Sequence, residues 1–195
     1  MTDDRHLVET ATSRTELLRG HFLHAVRETV RLPDGGSAVR EFILHPGAVM
    51  MIALLDDGRV VLERQYRHPV GQVMVEFPAG KLDPGEAVQA CAARELREET
   101  GYVAREWARA GRLHPCIGYS NEFIEVWFAR GLTLGERRLD EGEFLDVITA
   151  TPAELLAWCQ SGRVTDAKTL TGALGLQNVL SGAWKLDWQA QSAQP

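Results

Sequence analysis

Between Glu86 and Thr100 the chain has no glycine or proline and is rich in Ala, Leu, Glu and Arg, a composition that favours a helix. On a helical wheel Val88, Cys91 and Ala92 share one face, the one expected to turn inward. Glu95 and Glu99 fall on that same face, and Glu98 borders it beside Arg94. Burying a carboxylate is costly unless a positive charge compensates it. The three glutamates stand at i, i+3 and i+4, so one helical surface presents all of them. A hard divalent cation such as Mg²⁺, which takes oxygen ligands in near-octahedral geometry, cancels both the burial and the mutual repulsion. Arg94, one turn before Glu98, is placed to orient a carboxylate as well as to neutralise it.

The loop that leads into this helix, "PAGKLDPGE", holds Pro78, Gly80, Pro84 and Gly85. It reads as a tight, pre-set turn whose backbone can approach a ligand closely and offer carbonyl oxygens to it. Upstream, "HFLHAVRETVRLPDGGSAVREFILHPGAVMMIALLDDGRVVLERQYRHPV" reads as successive strands. Turns fall at Pro33-Asp34-Gly35-Gly36 and Asp56-Asp57-Gly58. The first hairpin ends near Ile43 and is expected to form a separate N-terminal sheet element. The second, Ala48 to Leu55 with Arg59 to Tyr66, is apolar enough to lie centrally in a sheet. "GQVMVEFPAG" supplies a further strand before the helix. Strands are expected again in "EWARAGRLHPCIG", "NEFIEVWFARGL" and "EFLDVITATP". A helix from Pro152 with Thr151 as N-cap follows, then a last helix over about Asp166 to Leu180. The tail "QAQSAQP" is expected to fray. The order implies an α/β protein with a mixed sheet between helices.

Composition narrows the function. The net charge of −6 argues against a broad phosphate-binding surface for nucleic acid. The longest apolar run, Ala48 to Leu55, is too short to cross a bilayer, and the polar start "MTDDRHLVETATSR" does not read as a signal peptide. Cys91, Cys116 and Cys159 form no C-x-x-C pair, which points to a reducing, cytoplasmic setting rather than a disulfide framework. The six histidines show no metal-binding spacing, His114 and Cys91 read as structural, and the five tryptophans are too scattered for a base-stacking platform.

Gly80, five residues, Glu86, seven residues, then Arg94-Glu95-Leu96-Arg97-Glu98-Glu99-Thr100-Gly101-Tyr102 matches G-x5-E-x7-R-E-U-x-E-E-x-G-U at every specified position. This is the Nudix box, and the chain resembles a Nudix hydrolase. "REFILHPGAV", "LERQYRHPVG", "EFPAGKLDPGE", "GYSNE", "EGEF" and "DAKT" extend the likeness, from about Arg40 to about Leu170, to the ADP-ribose pyrophosphatase-like branch. The resemblance implies an α/β/α sandwich over residues 45–195. It also implies an N-terminal antiparallel β element over residues 1–44, exchanged between the subunits of a homodimer with composite active sites.

The same resemblance implies Mg²⁺- or Mn²⁺-dependent hydrolysis of a nucleoside diphosphate linked to a group X, here ADP-ribose to AMP and ribose 5-phosphate. Metal ligands would be Glu95 and Glu99, with Glu98 close by and the Ala79 carbonyl contributing. Glu86 and Arg94 would brace loop and helix. Arg40 and Glu41 match residues that contact the adenine end across the dimer, and Arg67 matches an arginine that binds the phosphate or terminal ribose. Glu143 matches the glutamate that activates or positions the attacking water, with Glu141 and then Asp140 as competitors. If the box itself activates the water, Glu98 is the next candidate. One departure bears on substrate: Ile117 precedes Gly118 where the branch carries a proline, Pro115 lying two residues earlier. Another ADP-sugar or nucleotide sugar therefore stays open as substrate. No cysteine quartet is present for the zinc ribbon of an NADH-cleaving relative. A non-hydrolytic nucleotide sensor usually loses a box carboxylate, and all are kept here. A housekeeping hydrolase of oxidised triphosphates would not need the N-terminal sheet.

Overall fold

A computed structural model describes residues 3–191 of the chain. These fall into two compact units. The smaller comprises the chain up to Pro46 together with Cys116–Phe123; the larger comprises Gly47–Pro115 and the chain from Ile124 onward.

The smaller unit is an antiparallel sheet of β1 (Thr10–Arg19), β2 (His24–Arg31) and β3 (Ser37–Ile43), in that order. The expected turn closes β2 onto β3, with Gly35 at φ +86° and the Gly36 N–H donating to Asp34 Oδ1 at 2.8 Å. Strand β1 was not legible, because "TATSRTELLR" lacks apolar alternation and every residue of it is exposed. It is held by backbone pairing to β2 and by cross-strand contacts such as Arg14 to the buried Glu28 at 2.6 Å. Cys116–Phe123 joins this unit through Ile43, whose N–H donates to the Tyr119 carbonyl at 2.9 Å.

In the larger unit, β4 (Ala48–Ala53), β7 (Ala79–Lys81), β8 (Tyr102–Leu113), β9 (Ile124–Leu134) and β11 (Gln189–Ala190) form one sheet. Its order is β11-β8-β9-β4-β7, with β4 and β9 parallel and the remaining pairs antiparallel. A second sheet has the order β10-β5-β6, from β5 (Val60–Arg67), β6 (Gln72–Glu76) and β10 (Leu145–Ala150). Three helices complete the unit: α1 (Val88–Thr100), α2 (Pro152–Gln160) and α3 (Ala167–Leu180).

Strand alternation sorts side chains between two cores. Val49, Met51, Ala53 and Val61 pack with Cys91, Ala92 and Leu96 of α1. Met50, Ile52, Val60 and Leu62 pack instead with Leu155 of α2 and with Ala173 and Leu176 of α3. The larger unit is thus a mixed sheet layer between helices, as the sequence implies. Both faces of β4 are buried, so its run reads as continuously apolar rather than alternating.

Three local expectations change. Ala48–Ala53 and Val60–Arg67 are strands but not a hairpin: only a Leu54–Val60 bridge joins them, and they enter different sheets. Both edges of β4 are taken by β9 and β7, and both edges of β5 by β10 and β6. Helix α1 begins at Val88 rather than Glu86, because the Glu86 carboxylate is engaged by Arg94 and by the Asp83 N–H in the loop. The tail does not fray at Gln189–Ala190, which pair with Trp107 and Glu106; its last four residues, 192–195, lie outside the described residues. Thr151 caps α2 in a full capping box with Glu154, and Asp166 caps α3 by accepting from the Thr169 N–H at 3.0 Å. Among the described residues no helix is long and apolar enough to cross a membrane.

Candidate active site

The site lies in the larger unit, where the middle of its helical wall is set by a glycine. A Cβ on Gly80 would come within 1.9 Å of Glu95 Cδ, so only glycine lets the Glu95 carboxylate lie against the loop backbone. The Ala79 N–H donates to Glu99 Oε2 at 3.1 Å, tying the same loop to the last turn of α1. The helix stops at Gly101, which is left-handed at φ +78° and too close to the Gly135 carbonyl to carry a side chain.

Arg94 organises the outer carboxylates. Its guanidinium donates to both Glu86 oxygens at 2.8 Å, to Glu95 Oε1 at 2.9 Å, to Glu98 Oε2 at 3.0 Å and to the Lys81 carbonyl at 3.3 Å. The Arg94 hydrogen bonds hold the Glu86 carboxyl down at about 2. Glu95 moves the other way, because burial outweighs the Arg94 charge and raises its pKa. Glu99, 4% exposed, is raised well above the ordinary carboxylate range by burial and by repulsion from Glu63, Glu95 and Glu143.

The opposite wall is β5 with its neighbours. Glu63 and Glu76 are directly paired across β5 and β6, and both are buried. Glu76 takes Arg67 Nε at 2.7 Å and Arg67 Nη2 at 3.0 Å, a bidentate pair, and also the Lys168 ammonium. Lys168 reaches Asp166 Oδ2 as well, at 3.0 Å. Burial would raise the Glu76 pKa, but these two cations lower it overall. Glu63 gains less: among the described residues neither carboxylate oxygen has a hydrogen-bond partner, and burial, with Glu76 nearby, outweighs the Lys168 and Arg67 charges and pushes its pKa up to about 8. Glu143 follows a turn in which its N–H donates to the Asp140 carbonyl and Gly142 is left-handed, and its Oε1 accepts from Gln65 Nε2 at 3.2 Å. Glu141 and Asp140 are exposed.

Of the residues singled out by sequence, Ala79, Glu95, Glu98, Glu99, Arg94 and Arg67 line this region of the larger unit, and Glu143 repels both Glu95 and Glu99 there. Arg40 and Glu41 belong to the smaller unit. Arg40 donates to Glu9 and Glu41 accepts from Arg27 at 2.7 Å, and both line a cavity of about 390 Å³ with Phe42, Ile117 and Tyr119. Sequence reasoning assigned no role to Glu63, Gln65, Glu76 or Lys168. A signal existed for Glu63: a lone glutamate continuing a run of buried β-branched and leucine residues in a strand.

Among the described residues no three His, Cys, Asp or Glu side chains form a ready-made cation cage. Arg94 holds Glu95 and Glu98, and Ala79 holds one oxygen of Glu99. The donor set nevertheless fits a hard cation. It is made of carboxylate oxygens, several of them buried, and those of Glu63 lack any partner.

The NUDIX domain family matches residues 44–170. The chain is 36% identical over 167 residues to the ADP-ribose pyrophosphatase of Bacillus subtilis (strain 168), covering 85% of this chain and 90% of that protein. It is 39% identical over 176 residues to the methanol dehydrogenase activator of Bacillus methanolicus, covering 88% and 94% respectively. The crystal structure of an ADP compounds hydrolase shares the fold, with a TM-score of 0.80 at 22% identity over 90% of this chain and 95% of that one. The box that buries its carboxylates, the sandwich that carries it and these likenesses agree: the chain belongs to the Nudix family.

Proposed function

We propose that this Nudix hydrolase cleaves the diphosphate of ADP-ribose, giving AMP and ribose 5-phosphate, with Mg²⁺ as cofactor and Mn²⁺ able to replace it. One observation carries the reading: α1 brings the buried carboxylates Glu95 and Glu99 to a wall whose two cations, Arg67 and Lys168, are already hydrogen-bonded to Glu76. The relatives named ADP-ribose pyrophosphatase support the substrate class. A bound Mg²⁺ would neutralise the diphosphate and lower the pKa of water. Glu95, Glu99 and the Ala79 carbonyl would hold it, with Glu98 at the margin, while Arg94 braces Glu95 and Glu98 and fixes Glu86 in the loop. Arg67, already oriented by Glu76, offers its remaining donor edge to a phosphate.

Glu143 is the general base in this reading, taking a proton from the attacking water. Its half-buried side chain and its bond to Gln65 support it over the exposed Glu141 and Asp140. Arg40 and Glu41 would contact the adenine end in a cytoplasmic homodimer. The exposed Leu17, Leu18, Leu23 and Val39 of the N-terminal sheet support a second copy covering it. Light scattering of a form truncated before Arg40 checks this, with a fully active monomer as the contrary result.

The decisive assay is a panel of ADP-ribose, other nucleotide sugars, dinucleotides and triphosphates with Mg²⁺, scored for AMP release. Preference for ADP-ribose supports the reading, and preference for triphosphates overturns it. The relative named methanol dehydrogenase activator favours a second reading, in which the chain acts on another protein. Absence of turnover on the whole panel would move the balance to that role.

A further inference from the structure

The strand wall poses a question that the box does not answer. Glu63 is fully buried, and both of its oxygens lack a partner. Its orientation follows from the strand. Val61, two residues before it, packs with Cys91 and Leu96 of α1, and Val147, the cross-strand neighbour of Glu63, packs against the same cluster. Glu63 therefore continues the row of β5 that faces α1. The two nearest cations, Arg67 and Lys168, are both bound to Glu76 on the adjacent strand. Glu63 repels Glu99 of α1 across this space, and Glu95 and Glu143 repel the same Glu99 from the helix and the loop. Oxygen donors thus come from helix, strand and loop around one place, while the backbone hydrogen bond from Ala79 occupies only one oxygen of Glu99.

We infer that Glu63 is a further ligand of the divalent cation, supplied by β5 to the open side of Glu99. The inference rests on the reading that Glu99 faces a bound cation. It adds a rigid ligand from the sheet to those of the box, and it accounts for a buried carboxylate that receives no hydrogen bond among the described residues. A ligand on a strand is held in place by its ladder hydrogen bonds, so its oxygens stay in position when the loop carrying Glu143 moves.

Binding, not turnover, is the test. Mn²⁺ is titrated into wild type, Glu63→Gln and Glu99→Gln, and free Mn²⁺ is followed by electron paramagnetic resonance without nucleotide. Thermal midpoints are recorded with and without metal. Glu63→Gln is expected to weaken Mn²⁺ binding about tenfold or more. It should also shrink the metal-induced rise in midpoint, while melting higher than wild type without metal. If it proves insoluble, Glu63→Met is measured by the same criteria. Mn²⁺ affinity within twofold of wild type in the Glu63 variant, with Glu99→Gln clearly weakened, overturns this inference alone. Wild type that binds no Mn²⁺ at millimolar concentration overturns it together with the metal-dependent function.

Discussion

The two walls of the site use their cations differently. On the helix wall one guanidinium, Arg94, is shared among Glu86, Glu95 and Glu98. On the strand wall two cations, Arg67 and Lys168, converge on the single carboxylate of Glu76. Among the described residues its cross-strand neighbour Glu63 receives no hydrogen bond, and Glu99 receives only the backbone N–H of Ala79. The strand wall therefore gives its fixed positive charge to one carboxylate, while the helix wall spreads it over three. The innermost ones, Glu63 and Glu99, receive no side-chain hydrogen bond among the described residues, and burial raises the pKa of both. A buried ion pair contributes modestly to stability, whereas a buried unpaired carboxylate is a cost that a functional site tolerates.

The comparison is broken most sharply by removing one of the uncompensated charges. Glu99→Gln is expected to lower kcat by roughly a hundredfold or more, since loss of cation-mediated charge stabilisation is worth several kcal/mol. Circular dichroism should show an intact fold, and near-normal kcat at saturating Mg²⁺ would refute the role. Glu143→Gln should reduce kcat by about a hundredfold with little change in KM. Glu141→Gln should do much less, and the reverse ranking in steady-state kinetics would move the base by two residues.

Stability separates the two neighbours on β5 and β6. Glu76→Gln strands two cations that it now satisfies and should cost about 2 kcal/mol, the figure being discounted because Arg67 is partly exposed. Glu63→Gln should have the opposite sign in metal-free protein. Urea unfolding midpoints decide between equal and opposite behaviour.

The smallest effects lie in the pH dependence of metal-free stability, where the walls pull apart. Glu86 has a depressed folded pKa, so its contribution is present above the ordinary 4.5 and is lost as pH falls through about 2; its exposure keeps it small. Glu63 has a raised folded pKa, so the native state binds a proton that the unfolded state has lost between 4.5 and about 8. Stability should fall as pH rises across that window, with Glu76 and Glu143 opposing its ionisation and Lys168 and Arg67 favouring it. Thermal midpoints of wild type minus those of Glu63→Gln isolate this limb, and a flat difference would contradict it.

Much of the helix wall was legible because its residues are local. Spacing along one helix put Glu95, Glu98 and Glu99 on one surface, and the capping residue Thr151 announced the helix that follows it. The strand wall was not, because it is assembled from β5, β6 and the start of α3, which are distant in sequence. Nothing in "LERQYR" says which strand will lie beside Glu63 or that both nearby cations will turn to Glu76. The same limit explains the mistaken hairpin. Asp56-Asp57-Gly58 marks a turn, yet β4 and β5 each find better partners elsewhere. Strand β1 escaped for a simpler reason: a strand exposed at every position carries no hydrophobic period.

The position of β4 has a consequence for biosynthesis. Its box-side edge can pair with β7 soon after the loop at Ala79 is made, but its other edge waits for β9, far later in the chain. Until Ile124–Leu134 has left the ribosome, Ala48–Ala53 is an all-apolar strand with one unpaired edge, the kind of surface that draws chaperones or aggregates. Nascent chains halted before Ile124 should therefore be the vulnerable ones, even though by then the whole nucleotide-cleaving motif has already been translated.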